Sequence, residues 1–442
     1  MTTEIAIMNA SGVALAADSA LTVSNSGGKL HYHGIDKIFG LNTYDPVAIM
    51  VYGCPDFLDV PWEVIIKSFR DNFAGERLAH LSDYANLFME HLFDFCNKYF
   101  DEERQYRALR DYISTFLQEV RGGGEAFVGE YLSRNDVGSL SARGDAHDLL
   151  AKVFKANVRK NVKSTTDVLL QRRRANGLAE NFESRLEAKY TKLFNDIMSE
   201  VFQEMPISAR DVDAIKKIPA MAVARNIVFG LRSGIVIAGY GNDEIHPSFC
   251  WYDVNAFIEG QLLCNPRGSE RINFHQRAAL QSFGNDEFIN SFLNGVSMRF
   301  RSEFGREVKE MYGRGGGANA AALDKKSVEA TFDKAADRVQ NEFRGRILST
   351  VALLPKQTLA EIASNLIMLS SIKSHISEVD GSVGGPVSVA VISKGDGLIW
   401  INRQHYLDPA ITPQFMARYE TRPIRSGGSG EIGVSDKGNG KV

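Results

Sequence analysis

The N-terminal segment carries groups that could perform nucleophilic chemistry: the hydroxyl of Thr2, the carboxylate of Asp18, a lysine ammonium and a glycine, Gly53, at the end of an apolar run. A threonine hydroxyl attacks a carbonyl only when a base removes its proton, and a free α-amine on the same residue can serve as that base. This amine has a reference pKa of about 7.7–8 and exchanges protons near neutral pH. Because Met1 is normally removed before a residue as small as threonine, we expect Thr2 to carry the free amine.

A β-hairpin is predicted to bring this terminus to a carboxylate. The apolar runs EIAIM and VALAA are joined by residues 9–12, Asn-Ala-Ser-Gly, a turn-forming cluster. If the turn centres between residues 10 and 11, antiparallel pairing places Thr2 opposite Ser19 and Thr3 opposite Asp18. Thr3 is the alternative nucleophile only if processing removes two residues.

Two lysines could supply the ammonium, Lys29 and Lys37, in GGKLHYHGIDKIFGL, which reads as two short strands. Lys37 is favoured because KIF opens a strand. A nearby ammonium lowers the pKa of both the amine and the hydroxyl, and Asp18 would hold it by a charge-assisted hydrogen bond. The next strand, PVAIMVYG, ends at Gly53, whose N–H could meet a developing oxyanion.

This set resembles the N-terminal-nucleophile hydrolases, specifically the proteasome β-subunit and its HslV-type threonine peptidase relatives. The resemblance lies in TT…ALAADSALT, with Asp18 sixteen residues after Thr2, in KIF at Lys37 and in MVYG at Gly53. Lys37 comes three residues later than in the family, so a short insertion around LHYHG is needed, and another at NTYDP. The resemblance implies an α+β fold, an αββα four-layer sandwich of two antiparallel sheets between helices, with a large helical insertion.

The resemblance resumes in the second half of the chain. SGIVIAGYG and SFCWYDVNAFIEGQ resemble strands of the family's second sheet, and AALQSFGNDEFINSFLNG resembles its strand-to-helix turn. The family keeps a serine at that turn. Ser282 is the candidate here, although a strict alignment puts Phe283 in that place.

The segment IASNLIMLSSIKSHISEVDGSVGGPVSVAVISKGDGLIWI resembles the last part of the family fold, a helix followed by a turn and a strand pair. By resemblance, Asp380 is the aspartate that supports the site. Val383 stands where the family has a second serine, and Ser382 lies one residue away from that position. Asp380 and Ser382 are therefore included among the candidate site residues.

The predicted domain organisation follows from where the resemblance stops. Residues 76–225 show helical spacing of apolar residues, with a helix through YANLFMEHLFDFCNKYF that continues through RALRDYISTFLQEV and stops at RGGG, residues 121–124. The predicted divisions are a hydrolase core of 2–75, 226–300 and 345–402, a helical insertion at 76–225, a linker and helix at 301–344, and a flexible tail at 406–442.

Composition argues against several other classes of protein. The 442-residue chain has a net charge of −3, which gives no reason to expect a nucleic-acid or membrane partner. Its four cysteines show no metal-ligand spacing, and no apolar run approaches the roughly 20 residues that span a bilayer. GRGGG lacks the lysine of a phosphate loop, and His31 and His33 have no acidic or thiol partners nearby. We expect a cytoplasmic protein without a metal or cofactor.

The resulting hypothesis is a threonine peptidase that acts on a peptide or protein. The resemblance also implies a homo-oligomer and an ATPase unfoldase as partner. Two alternatives stay open: an inactive scaffold that binds partners through the helical insertion, and a hydrolase of non-peptide amides.

Overall fold

The computed structural model describes most of the chain outside the two termini and several loops. The described residues are 3–25, 28–41, 45–73, 77–134, 146–175, 178–203, 205, 207–227, 229, 233–284, 287–295, 297, 300–307, 325–377, 384–403 and 411–414.

Two five-stranded antiparallel sheets form the centre of the molecule. Sheet 1 has the strand order β12-β1-β2-β13-β14, with β1 at Thr3–Asn9, β2 at Gly12–Asp18, β12 at Ala278–Gly284, β13 at Val387–Ser393 and β14 at Gly397–Asn402. Sheet 2 has the order β11-β10-β9-β6-β5, with β5 at Ile38–Gly40, β6 at Val47–Gly53, β9 at Ser233–Gly239, β10 at Ser248–Ile258 and β11 at Gln261–Arg271.

Two small strand pairs accompany these sheets. The first joins β3 (Ala20–Asn25) to β4 (Gly28–His33), and the second joins β7 (Asp56–Phe57) to β8 (Val60–Pro61). The sequence predicted β4, β5 and β6 but no strand at β3.

The N-terminal hairpin has the predicted register. Glu4 pairs with Ala17 and Asn9 with Gly12, so the turn lies between residues 10 and 11. The Asn9 side chain caps this turn by accepting the N–H of Ser11 at 2.8 Å. The prediction that Thr3 lies beside Asp18 is confirmed, because the Thr3 N–H donates to Asp18 Oδ1 at 3.2 Å.

Helices lie between the strands of the two sheets in the sequence. In chain order they are α1 (Trp62–Asn72), α2 (Leu81–Tyr99), α3 (Glu102–Arg134), α4 (Ala146–Gln171), α5 (Phe182–Lys189), α6 (Thr191–Phe202), α7 (Ala209–Val223), α8 (Glu287–Asn294), α9 (Lys325–Val351) and α10 (Lys356–Ser377), and residues 300–307 are helical as well.

Alternation along the strands decides what each sheet face contacts, because successive side chains point to opposite faces. In β6, Ala48 and Met50 join an apolar cluster with Ala6 and Met8 of β1, so the two sheets share this cluster. The other faces meet helices. Ile5 and Ile7 cluster with residues of α8, α9 and α10, and the outward residues of β6 and β9 cluster with α1 and α2.

The remaining helices, α3–α7, have an apolar cluster of their own. It extends to the end of sheet 2, where Ala256, Ile258 and Leu263 of β10 and β11 contribute to it. The α+β class and the two antiparallel sheets are confirmed. None of the described helices is both long and apolar enough to cross a membrane.

Two helix predictions in this part of the chain are wrong. The helix that begins in α2 does not continue into α3, because Phe100 is extended and Asp101 Oδ1 accepts the N–H of Arg104 at 2.8 Å, which starts a new helix. The glycines at 122–124 do not stop α3, which runs to Arg134. A Cβ on Gly124 would lie 2.4 Å from the Phe154 ring of α4, so a glycine permits the close approach of the two helices.

Candidate active site

Lys37 lies at the centre of a buried charge cluster, directly before β5. Its Nζ is 2.5 Å from Asp18 Oδ1 and 3.0 Å from Glu4 Oε1. The lysine is 6% exposed, and the side chains of both carboxylates are fully buried. One ammonium therefore lies between two carboxylates in the interior.

Secondary structure brings these three residues together from two sheets. Glu4 and Asp18 lie at the same end of sheet 1 because β1 and β2 form a tight hairpin. Lys37 adjoins sheet 2 directly before β5, and its carbonyl accepts the N–H of Val51 of β6 at 2.8 Å. The lysine side chain thus joins the ends of the two sheets.

The charges of its neighbours keep Lys37 protonated. Burial lowers the pKa of Lys37, but the charges of Glu4 and Asp18, together with hydrogen bonds to both, raise it above its ordinary value. A lysine in this state does not accept a proton near neutral pH. It can stabilise negative charge and lower the pKa of a neighbouring amine or hydroxyl.

Asp18 also holds two backbone segments. It accepts the Thr3 N–H at Oδ1, and its Oδ2 accepts the Gly384 N–H at 3.3 Å. Asp18 therefore fixes the backbone immediately after Thr2 as well as the segment that leads into β13. Thr2 itself, Asp380, Ser382 and Val383 lie outside the described residues, as does the side chain of Lys29.

Gly53 ends β6 at the same end of the sheets, opposite Ser233 of β9. Its φ of 81° lies in the left-handed region, which a residue without a Cβ adopts at little cost. Ser233 fixes the following turn, because its hydroxyl donates to the carbonyl of Cys54 at 3.2 Å. The backbone conformation at this position therefore favours glycine, as found at Gly53.

The two candidates at the end of β12 lie on opposite faces of sheet 1. Phe283 is buried in the cluster between the sheets and stacks on Tyr52, with ring centroids 5.2 Å apart. Ser282 pairs with Ile5, and its hydroxyl donates to Asn290 Oδ1 of α8 at 3.3 Å. Ser282 therefore lies on the helix-covered face, away from the face where Glu4 meets Lys37.

A second polar group adjoins the lysine cluster on the sheet 2 side. The Tyr52 hydroxyl donates to Asp253 Oδ1 at 3.0 Å, and Arg267 Nε lies 3.1 Å from Asp253 Oδ2. Burial and the negative charge of Asp253 raise the pKa of Tyr52, and Glu4 adds to the rise. Tyr52 therefore remains a neutral donor between the two sets of charges.

Sequence reasoning missed Glu4, Tyr52 and Asp253 as neighbours of this cluster. Glu4 had a signal, since it is an acidic residue at the head of an apolar strand, where a buried charge requires a partner. Tyr52 had none, because its hydroxyl partner lies on β10, far along the chain.

The described residues contain no group of three histidine, cysteine or acidic side chains that could hold a metal ion.

A scan of protein-family models found no match to the sequence, and neither did a comparison with curated proteins. Solved structures gave distant likenesses. An Anbu (Gly-1) mutant from Hyphomicrobium sp. strain MC1 aligns with a TM-score of 0.25 and 8% identity, covering 95% of this chain and 97% of that one. The helical assembly of the Anbu complex from Pseudomonas aeruginosa aligns with a TM-score of 0.23 and 10% identity, covering 95% and 94%.

Proposed function

We propose that this chain is a threonine-type N-terminal-nucleophile hydrolase that cleaves peptide bonds. The observation that carries the proposal is the double role of Asp18, which binds the buried Lys37 and also accepts the N–H of Thr3. Asp18 thus links the Lys37 ammonium to the backbone of Thr3, the residue that follows Thr2 in the sequence. Thr2 would carry both the hydroxyl and the amine once Met1 is removed.

The proposed reaction assigns the base to the amine because Lys37 stays protonated. Thr2 Oγ attacks the scissile carbonyl while the Thr2 α-amine takes its proton, and the Gly53 N–H stabilises the oxyanion. The amine then gives the proton to the leaving amine, which yields an ester on Thr2. Water cleaves the ester with the amine again as base. Asp18 holds Lys37 in place.

The other candidates complete the proposal as supporting groups. We assign Asp380 and Ser382 to the surroundings of the amine, since the Gly384 N–H at the end of their segment reaches Asp18. Ser282 remains a candidate that would act through the turn after β12. The shared cluster between the sheets and the helix clusters outside them support an αββα sandwich. The division into core and insertions, the cytoplasmic location, a homo-oligomer and an ATPase partner are further parts of the proposal.

The test is covalent labelling of the purified protein with a peptide epoxyketone, which forms a stable ring only with an N-terminal hydroxyl and its free amine. Intact mass and peptide mapping give the readout. We expect loss of Met1 and one adduct on Thr2. Retained Met1 contradicts the proposal.

Two variants locate the nucleophile. Thr2→Ala should abolish the adduct with the fold unchanged by circular dichroism, and Thr3→Val should keep it. An adduct that survives in Thr2→Ala but is lost in Thr3→Val would assign the hydroxyl to Thr3 instead.

An inactive scaffold is the second candidate, and one observation favours it. Phe283, where alignment expects a serine, packs in the apolar cluster and supplies no hydroxyl. Loss of Met1 without an adduct or peptide cleavage would favour this candidate.

A further inference from the structure

A cleft lies at the end of the sheets opposite the lysine cluster. Its volume is about 370 Å³, which is within the range of clefts that bind small ligands. Sheet 2 contributes the segments before β6 and after β9, with Asp45 and Tyr240, and sheet 1 contributes the turn between β13 and β14, with Asp396. Arg77, before α2, and Tyr84, within α2, also line the cleft.

Lys394 joins the two sheets at this cleft. Its ammonium donates to the backbone carbonyls of Gly241, Asn242 and Glu244, in the loop that follows β9. These bonds use the three N–H groups of a lysine ammonium, so it has no further donor for a ligand, although its positive charge remains. The walls of the cleft are therefore held together by the protein itself.

The two carboxylates of the lining have partners in the protein. Asp45 accepts a hydrogen bond from the Tyr84 hydroxyl. Asp396 forms an ion pair with Lys356 and accepts a hydrogen bond from the hydroxyl of Ser393 at 2.6 Å. Neither carboxylate therefore requires a cation in the cleft.

Two donors of the lining differ from these groups, because the described part of the chain gives them no partner. The side chain of Arg77 is exposed and forms no ion pair with any described residue. Tyr240 is only 2% exposed, and its hydroxyl forms no hydrogen bond with a described residue. Burial raises the pKa of Tyr240 to about 12, so the hydroxyl is a neutral donor near pH 7. A polar group that is buried without a partner costs free energy, which a ligand that accepts its hydrogen bond would recover.

We propose that this cleft binds a small ligand with an oxyanion group, a phosphate or a carboxylate, which pairs with Arg77 while an acceptor oxygen of the ligand receives the Tyr240 hydroxyl. A guanidinium presents paired N–H groups that match either oxyanion in a bidentate manner. The cleft lies at the opposite end of the sheets from Lys37, so binding there does not depend on the proposed hydrolase reaction.

Isothermal titration calorimetry with inorganic phosphate and, separately, with citrate tests this site. Sodium chloride keeps the ionic strength constant, so that screening of surface charge is the same in every titration. We expect at least one of the two anions to bind at one site per chain at millimolar concentration, and to raise the midpoint of thermal unfolding. The anion that binds more tightly indicates whether the ligand carries a phosphate or a carboxylate.

Arg77→Gln and Tyr240→Phe test the two donors separately. Arg77→Gln removes the charge of an exposed side chain and should weaken binding by about tenfold or more. Tyr240→Phe keeps the ring that packs between the sheets and should weaken binding by about 3–10-fold. Because the Tyr240 hydroxyl has no partner in the described chain, this variant should unfold at the same midpoint as the wild-type protein when no anion is added.

Two control variants match these substitutions away from the cleft. Arg172 is an exposed arginine directly after α4, and Tyr112 of α3 donates its hydroxyl to the carbonyl of Ile227 at 2.7 Å. Arg172→Gln and Tyr112→Phe should bind the anion as the wild-type protein does, although Tyr112→Phe should lower the unfolding midpoint because it loses a hydrogen bond.

Three results would overturn the inference. The first is that neither anion binds. The second is that Arg77→Gln or Tyr240→Phe binds as tightly as the wild-type protein. The third is that Arg172→Gln weakens binding as much as Arg77→Gln, since the anion would then respond to the overall charge of the protein rather than to the cleft.

Discussion

The lysine cluster between the sheets and the Arg159–Asp211 pair of the helical region α3–α7 differ in how far their cations are buried. The sheets enclose Lys37 with two carboxylates, all three nearly or fully inaccessible. In the helical region the side chain of Arg159 is 62% exposed where it pairs with Asp211. The helical interior is instead an apolar cluster.

This difference bears on function because buried ion pairs are a poor way to gain stability. Replacing such a pair by packed apolar side chains is often neutral or stabilising, whereas removing one partner is costly. Apolar side chains fill the interior between the helices, and they could equally occupy the positions of the lysine cluster between the sheets. The burial of the lysine cluster is therefore better explained by the chemical role proposed for it than by its contribution to the fold.

Of the substitutions that test this difference, Lys37→Met should reduce stability and epoxyketone labelling the most. It leaves two buried carboxylates without their cation, which costs about 3–5 kcal/mol of the free energy of unfolding. In the proposed reaction it also removes the charge that would lower the pKa of the Thr2 hydroxyl, so epoxyketone labelling should slow by about 100-fold or more. Urea unfolding and the labelling rate at a permissive temperature measure the two effects.

Lys394→Met is the matched control for this substitution. The Lys394 ammonium donates to the carbonyls of Gly241, Asn242 and Glu244 at the opposite end of the sheets. Its loss should cost about 1–2 kcal/mol and leave labelling unchanged. Equal slowing in the two variants would show that labelling follows stability, and the comparison would then fail.

A pair of glycine substitutions in α3 tests the packing of the helical region, with a smaller effect. Gly124→Ala should destabilise the protein by about 1–3 kcal/mol, because its Cβ would lie 2.4 Å from the buried Phe154 ring. Gly122 has open space around it, and Gly122→Ala should stabilise α3 by about 0.5–1 kcal/mol. Thermal unfolding of both variants gives the comparison. Stabilisation by Gly124→Ala would contradict the close approach of α3 and α4.

The sequence predicted the parts of the site that local signals encode. A turn of Asn-Ala-Ser-Gly between two apolar runs fixed the hairpin register, and the register placed Thr3 beside Asp18. Strand-opening KIF favoured Lys37, which the structure places on Asp18. These contacts follow from residues close in sequence or from a resemblance in order and spacing.

The remainder depends on packing between distant segments, which no local signal shows. The glycines in α3 resemble a helix stop, but contact with α4 makes a glycine favourable at Gly124. The partner of Tyr52 is Asp253, about two hundred residues later. Ser282 and Phe283 are neighbours in sequence, and only the pleat of β12 decides which of them faces the lysine cluster.

Arg159→Met should have the smallest effect and a distinct pH dependence. Hydrogen bonds from Arg159 lower the pKa of Asp211, although burial opposes this, and Ser208 adds a further hydrogen bond. A depressed carboxyl pKa stabilises the fold above the ordinary value of 3.8, and this contribution is lost as the pH falls through the lowered pKa. Because Arg159 is exposed, the substitution should cost no more than about 1 kcal/mol at pH 7. Urea unfolding should show that this loss of stability disappears at a pH below the lowered pKa of Asp211. A loss at pH 7 as large as that of Lys37→Met would contradict the difference between the two regions.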